Sequence, residues 1–315
     1  MMILTMISQI LNPLKEIQNI NKPTLVVVTG PTAVGKTSLT IDLASELNTS
    51  IISADSRQFY KELRIGTAFP DNDELKHVPH YFLGHLSIQD YYSVSRFEQD
   101  VLHLLPKLFE KNPIVILTGG SGLYIDAVCK GIDDLPDPDP NIRAHVMSLF
   151  ENEGIEGLRK QIKLLDPAYY DLSDIANHKR LMRALEVTLQ MGEPYSSFLT
   201  RTEKYRSFDI IKYCLNRPRE ILFDRINQRV DQMIEKGASA QITSSSITGD
   251  FGRDIQSLSV FLLKKKAVHF IASDSHGTRH RKPVLSSALK YAEKIADISY
   301  LSRLVYENPL RVLQG

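Results

Sequence analysis

The chain has 315 residues, 43% of them hydrophobic and 24% charged, with a formal net charge of +1. That length supports a sizeable core and two domains, or one domain with an appendage, and the near-neutral charge argues against wholesale coating of nucleic acid. No run of about 18 apolar residues is present to span a bilayer, so no membrane association is expected. Two cysteines, Cys129 and Cys214, stand far apart in apolar contexts, which speaks against a disulfide framework or metal knuckle and for a reducing compartment. At the N-terminus MMILTMISQIL lacks the basic region of a signal peptide and the arginines of a transit peptide, so no export signal is expected. Ile3, Ile7, Ile10, Leu11 and Leu14 fit one short amphipathic helix, with an unstructured extension as the alternative.

Residues 30–37 read GPTAVGKT, a full G-x-x-x-x-G-K-[ST] phosphate loop. It follows the apolar run Leu25-Val26-Val27-Val28 and precedes the helical set Leu39, Leu43, Ala44 and Leu47. A strand that feeds such a turn into a helix N-terminus aims the backbone N–H groups of Gly30, Pro31, Thr32, Ala33, Val34 and Gly35, proline's missing one excepted, around a single anion. Lys36 adds a point charge and Thr37 a hydroxyl suited to Mg²⁺, so the ligand should carry at least two phosphates. Gly30 and Gly35 permit positive φ and close backbone approach.

Along the first half, strand-like segments at 24–29, 50–53, 114–118 and 210–215 alternate with helical patterns, as in an open parallel sheet with crossover helices. GIDDLPDPDP, residues 131–140, is rich in prolines that cannot sit inside a helix or central strand and marks a boundary. Residues 141–206 read as a helical, charged insertion, and the chain returns to the sheet at Ile210. Residues 219–236 predict one long amphipathic helix with Leu222, Ile226, Val230, Met233 and Ile234 along one face. After Gly237 the small, hydroxyl-rich stretch ASAQITSSSITG precedes a fresh alternation: helix 253–266, strand 268–273, helix 284–296 and a last helix near 299–306.

Two more loops should share the edge of the sheet that carries the phosphate loop, because parallel strands all end on one side. Ser53-Ala54-Asp55-Ser56-Arg57-Gln58 follows the second strand, where Asp55 either organises Mg²⁺ or caps the next helix. Thr118-Gly119-Gly120-Ser121-Gly122-Leu123-Tyr124 follows the third, and its glycines leave room for a flat or extended ligand.

GPTAVGKT, ADSRQFY, IGTAFP, HYFLGH, GGSGLY, LPDPDP, NHKRLMRALEV and GEPYSSF together resemble, in order and spacing, the bacterial tRNA dimethylallyltransferases over about residues 23–236. The resemblance implies a phosphate-loop NTPase-like α/β fold with a parallel sheet, a core of residues 23–140 and 207–236, a helical tRNA-binding insertion at 141–206, and residues 1–22 as an extension. It implies a cytoplasmic, monomeric enzyme that uses Mg²⁺ and moves a dimethylallyl group from dimethylallyl diphosphate to N6 of the adenosine just 3′ of the anticodon, in tRNAs reading codons that begin with U. Such a loop can cradle the diphosphate of an allylic donor as well as that of ATP, with Lys36, Thr37 and Mg²⁺ stabilising the leaving group. The exocyclic amine of adenine is a poor nucleophile, and Asp55 is the expected general base. The resemblance sets Asp55, Ser56, Arg57 and Gln58 against the target nucleotide, adds Ser121 and Arg143 as tRNA contacts, and matches Lys179, Arg180 and Arg183 to a segment that touches tRNA backbone. Arg217, Arg219, Arg225 and Arg229 are candidates for closing over the diphosphate, with ion pairs along one helix as the rival reading.

After Lys236 the pattern departs from that family. AQITSSSITGDFGRDIQ, VHFIASDSHGTR and YENPLRVL resemble the C-terminal third of bacterial tyrosine phosphatases of the polymerase-and-histidinol-phosphatase (PHP) type, so residues 237–315 are expected to be an α/β fragment of such a barrel fused near Glu235-Lys236-Gly237. In that family Asp274 and His276 would be two metal ligands. Two ligands do not hold a catalytic cluster, so they are expected to be vestigial. Three other functions stay open: an adenylate isopentenyltransferase, which needs no tRNA-gripping insertion; a small-molecule phosphate-loop kinase, which would turn over ATP; and an inactive fusion.

Overall fold

The computed structural model describes residues 2–67, 69–200, 202–275 and 284–314, side chains 2–6 and 72 excepted. The chain divides into two compact units, one of Met1–Phe150 with Ile155–Met233, the other of Glu151–Gly154 with Ile234–Gly315.

In the first unit the order is α1 (Met2–Asn19), β1 (Thr24–Thr29), α2 (Lys36–Glu46), β2 (Ile51–Ser53), α3 (Asn72–His77), β3 (His80–Tyr81), α4 (Val94–Phe109), β4 (Ile114–Thr118) and α5 (Gly122–Lys130). There follow α6 (Pro140–Leu165), α7 (Pro167–Leu172), α8 (His178–Met191), α9 (Tyr195–Phe198), β5 (Asp209–Cys214) and α10 (Arg219–Glu235). The strands form a sheet of order β3-β2-β4-β1-β5 in which every pairing is parallel. All four strands expected from the sequence are present; β3, two residues long at one edge, carried too little pattern to be read.

Successive side chains of a strand point to opposite faces, and here that alternation divides the core into two layers. Val26, Val28, Ile51, Ile114 and Ile116 pack with α2 residues Leu39, Leu43 and Ala44 on one face. Leu25, Val27, Ile52, Val115 and Leu117 pack on the other with Phe97, Val101 and Leu105 of α4 and Ile125 and Val128 of α5. The N-terminal segment takes the helical alternative: Ile10, Leu11 and Leu14 of α1 are buried in the first layer, beside Ile7 and Ile17.

The insertion has its own core of Val146, Leu158, Ile162, Leu181, Ala184 and Leu185. Asp166, itself buried, staples it by accepting from the Tyr169 and Ser196 backbone amides and the Ser196 hydroxyl. Its two legs are tied to each other and to the sheet unit. Asp133 accepts from the Thr200 amide and hydroxyl, and Lys204 reaches Asp134 at 2.6 Å. Arg206 donates to the carbonyls of Ala127 and Val128 and pairs with buried Glu98 at 2.6 Å.

Helix α10 corrects one expectation. Of its predicted apolar stripe, Val230 and Ile234 are exposed and only Leu222 of the helix is buried. Beyond Leu222, what anchors it, as described below, is arginine.

The second unit contains β6 (Gln241–Thr243), α11 (Ser244–Thr248), α12 (Arg253–Lys264), β7 (Phe270–Ala272), α13 (Ser286–Ala292), α14 (Ile298–Ser302), a π-helical turn Arg303–Glu307 and α15 (Asn308–Gln314). β6 and β7 pair in parallel over a core that includes Ile242, Ile247, Leu263, Ile271, Tyr300 and Leu304. The hydroxyl-rich stretch after Gly237, unassigned from the sequence, therefore supplies a strand and a short helix.

The Arg206–Glu98 pair is nearly dry, its side chains 8% and 6% exposed. Glu98→Ala leaves a buried guanidinium without its carboxylate and should cost about 3–5 kcal/mol in urea unfolding of the full chain. Removal of the exposed Lys76–Asp73 pair should cost under about 1 kcal/mol.

Candidate functional site

The carboxyl ends of β1, β2, β4 and β5 bring the expected loops together. After β1, Gly30 and Gly35 take φ of 147° and 105°, and Ala33 a left-handed 63°. This turns the backbone of the GPTAVGKT loop into α2, whose N-cap is Gly35. A side chain at Gly30 would lie 2.5 Å from the Leu215 carbonyl oxygen just past β5, so only glycine allows that approach. Pro31 and Thr32 are exposed at the tip, Val34 is buried beneath it, and Thr37 is exposed on the first turn of the helix.

Cationic side chains line this loop. Lys36 Nζ donates to the carbonyl oxygens of Gly30 at 2.9 Å and Pro31 at 3.0 Å. Arg217 Nε donates to the Val34 carbonyl at 2.7 Å and Arg225 Nε to the Ala33 carbonyl at 2.6 Å. The Nη2 atoms of these arginines lie 3.6 and 3.9 Å from where a Cβ on Gly35 would sit. Arg229 turns to a different partner, the Thr67 carbonyl at 2.9 Å, which also accepts from Gln58 Nε2 at 3.2 Å. Arg219 is exposed at the start of α10. Burial pushes the Lys36 ammonium below its ordinary pKa; the Asp55 carboxylate opposes that shift and Arg229 adds to it. Lys36, Asp55 and Arg229 thus share one electrostatic site.

Asp55 sits in a tight turn between two loops. Its Oδ1 accepts from the Arg57 amide at 3.1 Å and its carbonyl from the Gln58 amide at 2.9 Å. The loop after β4 closes on it from the other side. Ser121 Oγ accepts from the Ser56 amide and donates to the Ser56 hydroxyl, both at 3.0 Å, while the Ser121 amide donates to the Ala54 carbonyl at 3.2 Å. Asp55, Ser56, Arg57, Gln58 and Ser121 therefore form one cluster, with Arg57 the exposed member.

The expected tRNA-binding residues of the insertion fall into two groups. Arg143 and Arg183 come together on Glu186, a carboxylate 3% exposed, at 3.8 and 3.7 Å. Arg183 also donates to the Pro136 carbonyl at 2.6 Å. Lys179 and Arg180 stand exposed on the first turn of α8, away from that carboxylate. Two residues went unread in the sequence: Glu186, three residues after Arg183 on a helix, and Thr67, whose carbonyl joins two loops and α10. The first had a signal in its i, i+3 spacing; a backbone acceptor has none.

In the second unit Asp274 has a φ of 50°, and His276 lies outside the described residues. Among the described residues no three His, Cys, Asp or Glu groups converge as a metal site, and no helix is long and apolar enough to cross a membrane. Both cysteines are free, Cys129 buried and Cys214 exposed.

The model of the IPP transferase family matches residues 58–299. The chain belongs to that family. It is 50% identical over 222 residues to tRNA dimethylallyltransferase 1 of Bacteroides thetaiotaomicron, covering 70% of this chain and 72% of that protein. It is 51% identical over 214 residues to the Phocaeicola vulgatus protein of the same name, covering 68% and 71%. A crystal structure of a eukaryotic dimethylallyltransferase acting on tRNA superposes with a TM-score of 0.57 at 26% identity, over 68% of this chain and 53% of that one.

The closest approach in the site is backbone to backbone. A Cβ on Gly119 would lie 2.3 Å from both the carbonyl carbon and oxygen of Ala54, and 2.8 Å from the Asp55 amide nitrogen. Gly119→Ala should push the two loops apart and reduce transfer more than it lowers thermal stability, whereas Gly122→Ala, which meets nothing within 4 Å, should change neither; transfer assays and melting curves on both variants check this.

Proposed function

We propose that this chain transfers a dimethylallyl group from dimethylallyl diphosphate to N6 of an adenosine beside the anticodon of tRNA, the tRNA set being those that read codons beginning with U. The observation that carries the reading is the junction of a cationic cradle with one carboxylate: Lys36, Arg217 and Arg225 on the phosphate loop, and Asp55 within electrostatic reach of Lys36. Relatives half identical to this chain and named for the same reaction support it.

The reaction breaks the bond between the allylic carbon and the diphosphate oxygen and forms a bond from that carbon to N6. Charge develops on the departing diphosphate, where the loop amides and the three cations stabilise it. Asp55 takes the proton that N6 sheds. Its carboxylate is oriented by the Arg57 amide, and the Ser121–Ser56 hydrogen bonds fix the turn that carries it. The target base has to leave its stack to reach such a carboxylate. Arg143, Arg183, Lys179 and Arg180 lie on the insertion where backbone phosphates of a folded RNA could be held. This favours tRNA over a free adenylate acceptor.

Mg²⁺ is a further part of the proposal. The exposed Thr37 hydroxyl is a hard oxygen donor that suits it. Bound there, it would neutralise diphosphate charge. A monomeric, cytoplasmic enzyme is likewise the expected form.

The origin of the tail is a second proposal: residues from about Lys236 onward derive from a phosphatase of the PHP type. A separate core in the second unit and relatives that align with only 70% and 68% of the chain favour it; the family model's reach to residue 299 opposes it. A native DNA read across codon 236 that runs into an ordinary transferase C-terminus would end this reading.

The test of function is prenyl transfer to unmodified tRNA. Asp55→Asn should bind donor and tRNA normally while transfer falls by roughly 10²-fold, the scale of general-base loss; full activity would remove Asp55 from that role. Lys36→Ala should weaken donor binding and transfer together, because its contact exists in ground and transition states alike. The binding form of Lys36 is the cation. Since its pKa is lowered, calorimetric donor affinity should decline with rising pH sooner than for an ordinary lysine, and that decline should vanish in Lys36→Ala.

A further inference from the structure

A cavity of about 410 Å³ opens beside the start of α4, away from the phosphate loop, and none of the roles assigned above uses it. Tyr91, Tyr92, Arg96, Gln99, Asp90 and Asp100 contribute to its walls. Its most unusual member is Tyr91, an aromatic ring 45% exposed. That ring is held rather than loose. The Arg96 guanidinium lies over it with Cζ 5.1 Å from the ring centre, and Arg96 Nη1 donates to the Tyr91 carbonyl at 3.1 Å. Arg96 is fixed in turn by Asp137, whose Oδ2 accepts from Nε and Nη2 at 2.9 and 2.8 Å. Asp137 belongs to the Pro-rich leg of the insertion, which Gln190 of α8 grips through the Asp137 carbonyl at 3.1 Å.

Position connects this platform to the rest of the site. The Tyr91 hydroxyl lies within electrostatic reach of Asp137, Arg183, Arg143 and Glu186. On another side Tyr124, whose amide donates to the Ser121 carbonyl, lies within reach of Tyr91 and Tyr60. Tyr91 therefore lies within electrostatic reach of both the paired arginines of the insertion and the Tyr124 ring beside the Ser121 loop.

We propose that this cavity is a nucleobase subsite, in which Tyr91 stacks against an unpaired base of the anticodon loop next to the target adenosine. The inference rests on the tRNA reading above. Single-stranded RNA is recognised by splaying bases onto aromatic rings and guanidinium planes and by bonding to their edges. A preformed ring backed by a guanidinium supplies the stacking face. The lining also selects against a phosphate, because Asp90 and Asp100 outnumber Arg96. Asp100 Oδ2 accepts from the Tyr92 hydroxyl at 2.7 Å and Asp90 Oδ2 from the Ser87 amide at 2.7 Å. Each carboxylate has a second oxygen to offer, which suits the amine and ring N–H donors of a base edge. Phosphates would instead lie toward Arg143 and Arg183.

The test compares wild type with Tyr91→Ala and Tyr91→Phe, using transfer kinetics and fluorescence anisotropy on an unmodified anticodon stem-loop RNA and on versions abasic at either position flanking the target. Tyr91→Ala should raise KM for the RNA and weaken its binding by about tenfold, within the range for one lost stack, with kcat and donor KM within about twofold of wild type. Tyr91→Phe should behave as wild type. One abasic position should weaken wild type by a similar factor and add nothing further in Tyr91→Ala. Unchanged RNA binding in Tyr91→Ala, an equal loss in Tyr91→Phe, or a change confined to donor KM would each overturn the subsite while transfer by wild type leaves the broader function standing. Tyr91-dependent binding with no transfer by wild type would do the reverse, and no RNA binding by wild type would overturn both.

Discussion

Strands that all run the same way must end on the same edge, and everything chemical in the first unit depends on that constraint. The phosphate loop, the Asp55 turn, the Gly119–Ser121 loop and the Arg217 segment are distant in sequence, yet each follows a strand of one parallel sheet. Alternation along those strands buries Val26 and Val28 against one helical layer and Leu25 and Val27 against the other. With both faces covered by helices, the edge is where the sheet can meet a ligand. Gly119 then sets the spacing at that edge, since its lack of a side chain lets the third loop touch the Ala54 carbonyl.

The helical insertion solves a different problem with different means. It hangs from the sheet by two chain segments, and both are fixed by polar contacts: Asp133 and Asp134 across to Thr200 and Lys204, and Arg206 down to Glu98 and the end of α5. A salt bridge as buried as Arg206–Glu98 is a costly way to gain stability. Its directional bonds nevertheless fix an angle in a way that apolar contact does not. At Glu186 a buried carboxylate acts by charge instead, drawing Arg143 and Arg183 to 3.8 and 3.7 Å, beyond hydrogen-bond distance.

Much of this was legible in the sequence wherever a motif and a period coincided. GPTAVGKT, set between the apolar run Leu25-Val26-Val27-Val28 and an amphipathic helix, defined both a strand and a site, and the four longer or motif-bearing strands fell where expected. Two-residue β3 and three-residue β6 did not, because a run that short has no period, and β6 lies in serine- and threonine-rich sequence that reads as loop. The stripe on α10 was legible as a pattern, but which of its residues pack was not, and only Leu222 is buried. The helix's position is set by Arg225 and Arg229 reaching the carbonyls of Ala33 and Thr67, and backbone acceptors leave no trace in a sequence. The grouping of the insertion's basic residues was also hidden. Arg183 and Arg143 meet on Glu186 across two helices, whereas Lys179 and Arg180, adjacent in sequence, do not join them.

The contacts around the phosphate loop bear on which anions it can hold. The carbonyls of Gly30, Pro31, Ala33 and Val34 accept hydrogen bonds from Lys36, Arg225 and Arg217. Each arginine commits only its Nε to the loop and Lys36 two of its three N–H groups, so an anion can reach the remaining donors while the loop contacts persist. The net gain of each such bond over one to water is small, on the order of 1 kcal/mol, and what accumulates is charge. A singly charged or compact anion would win over too few of the three cations to hold its place, while a group spreading several negative charges over two phosphorus centres can engage them all. The loop would thus act as a threshold detector for accumulated negative charge, discriminating by valence before shape is consulted.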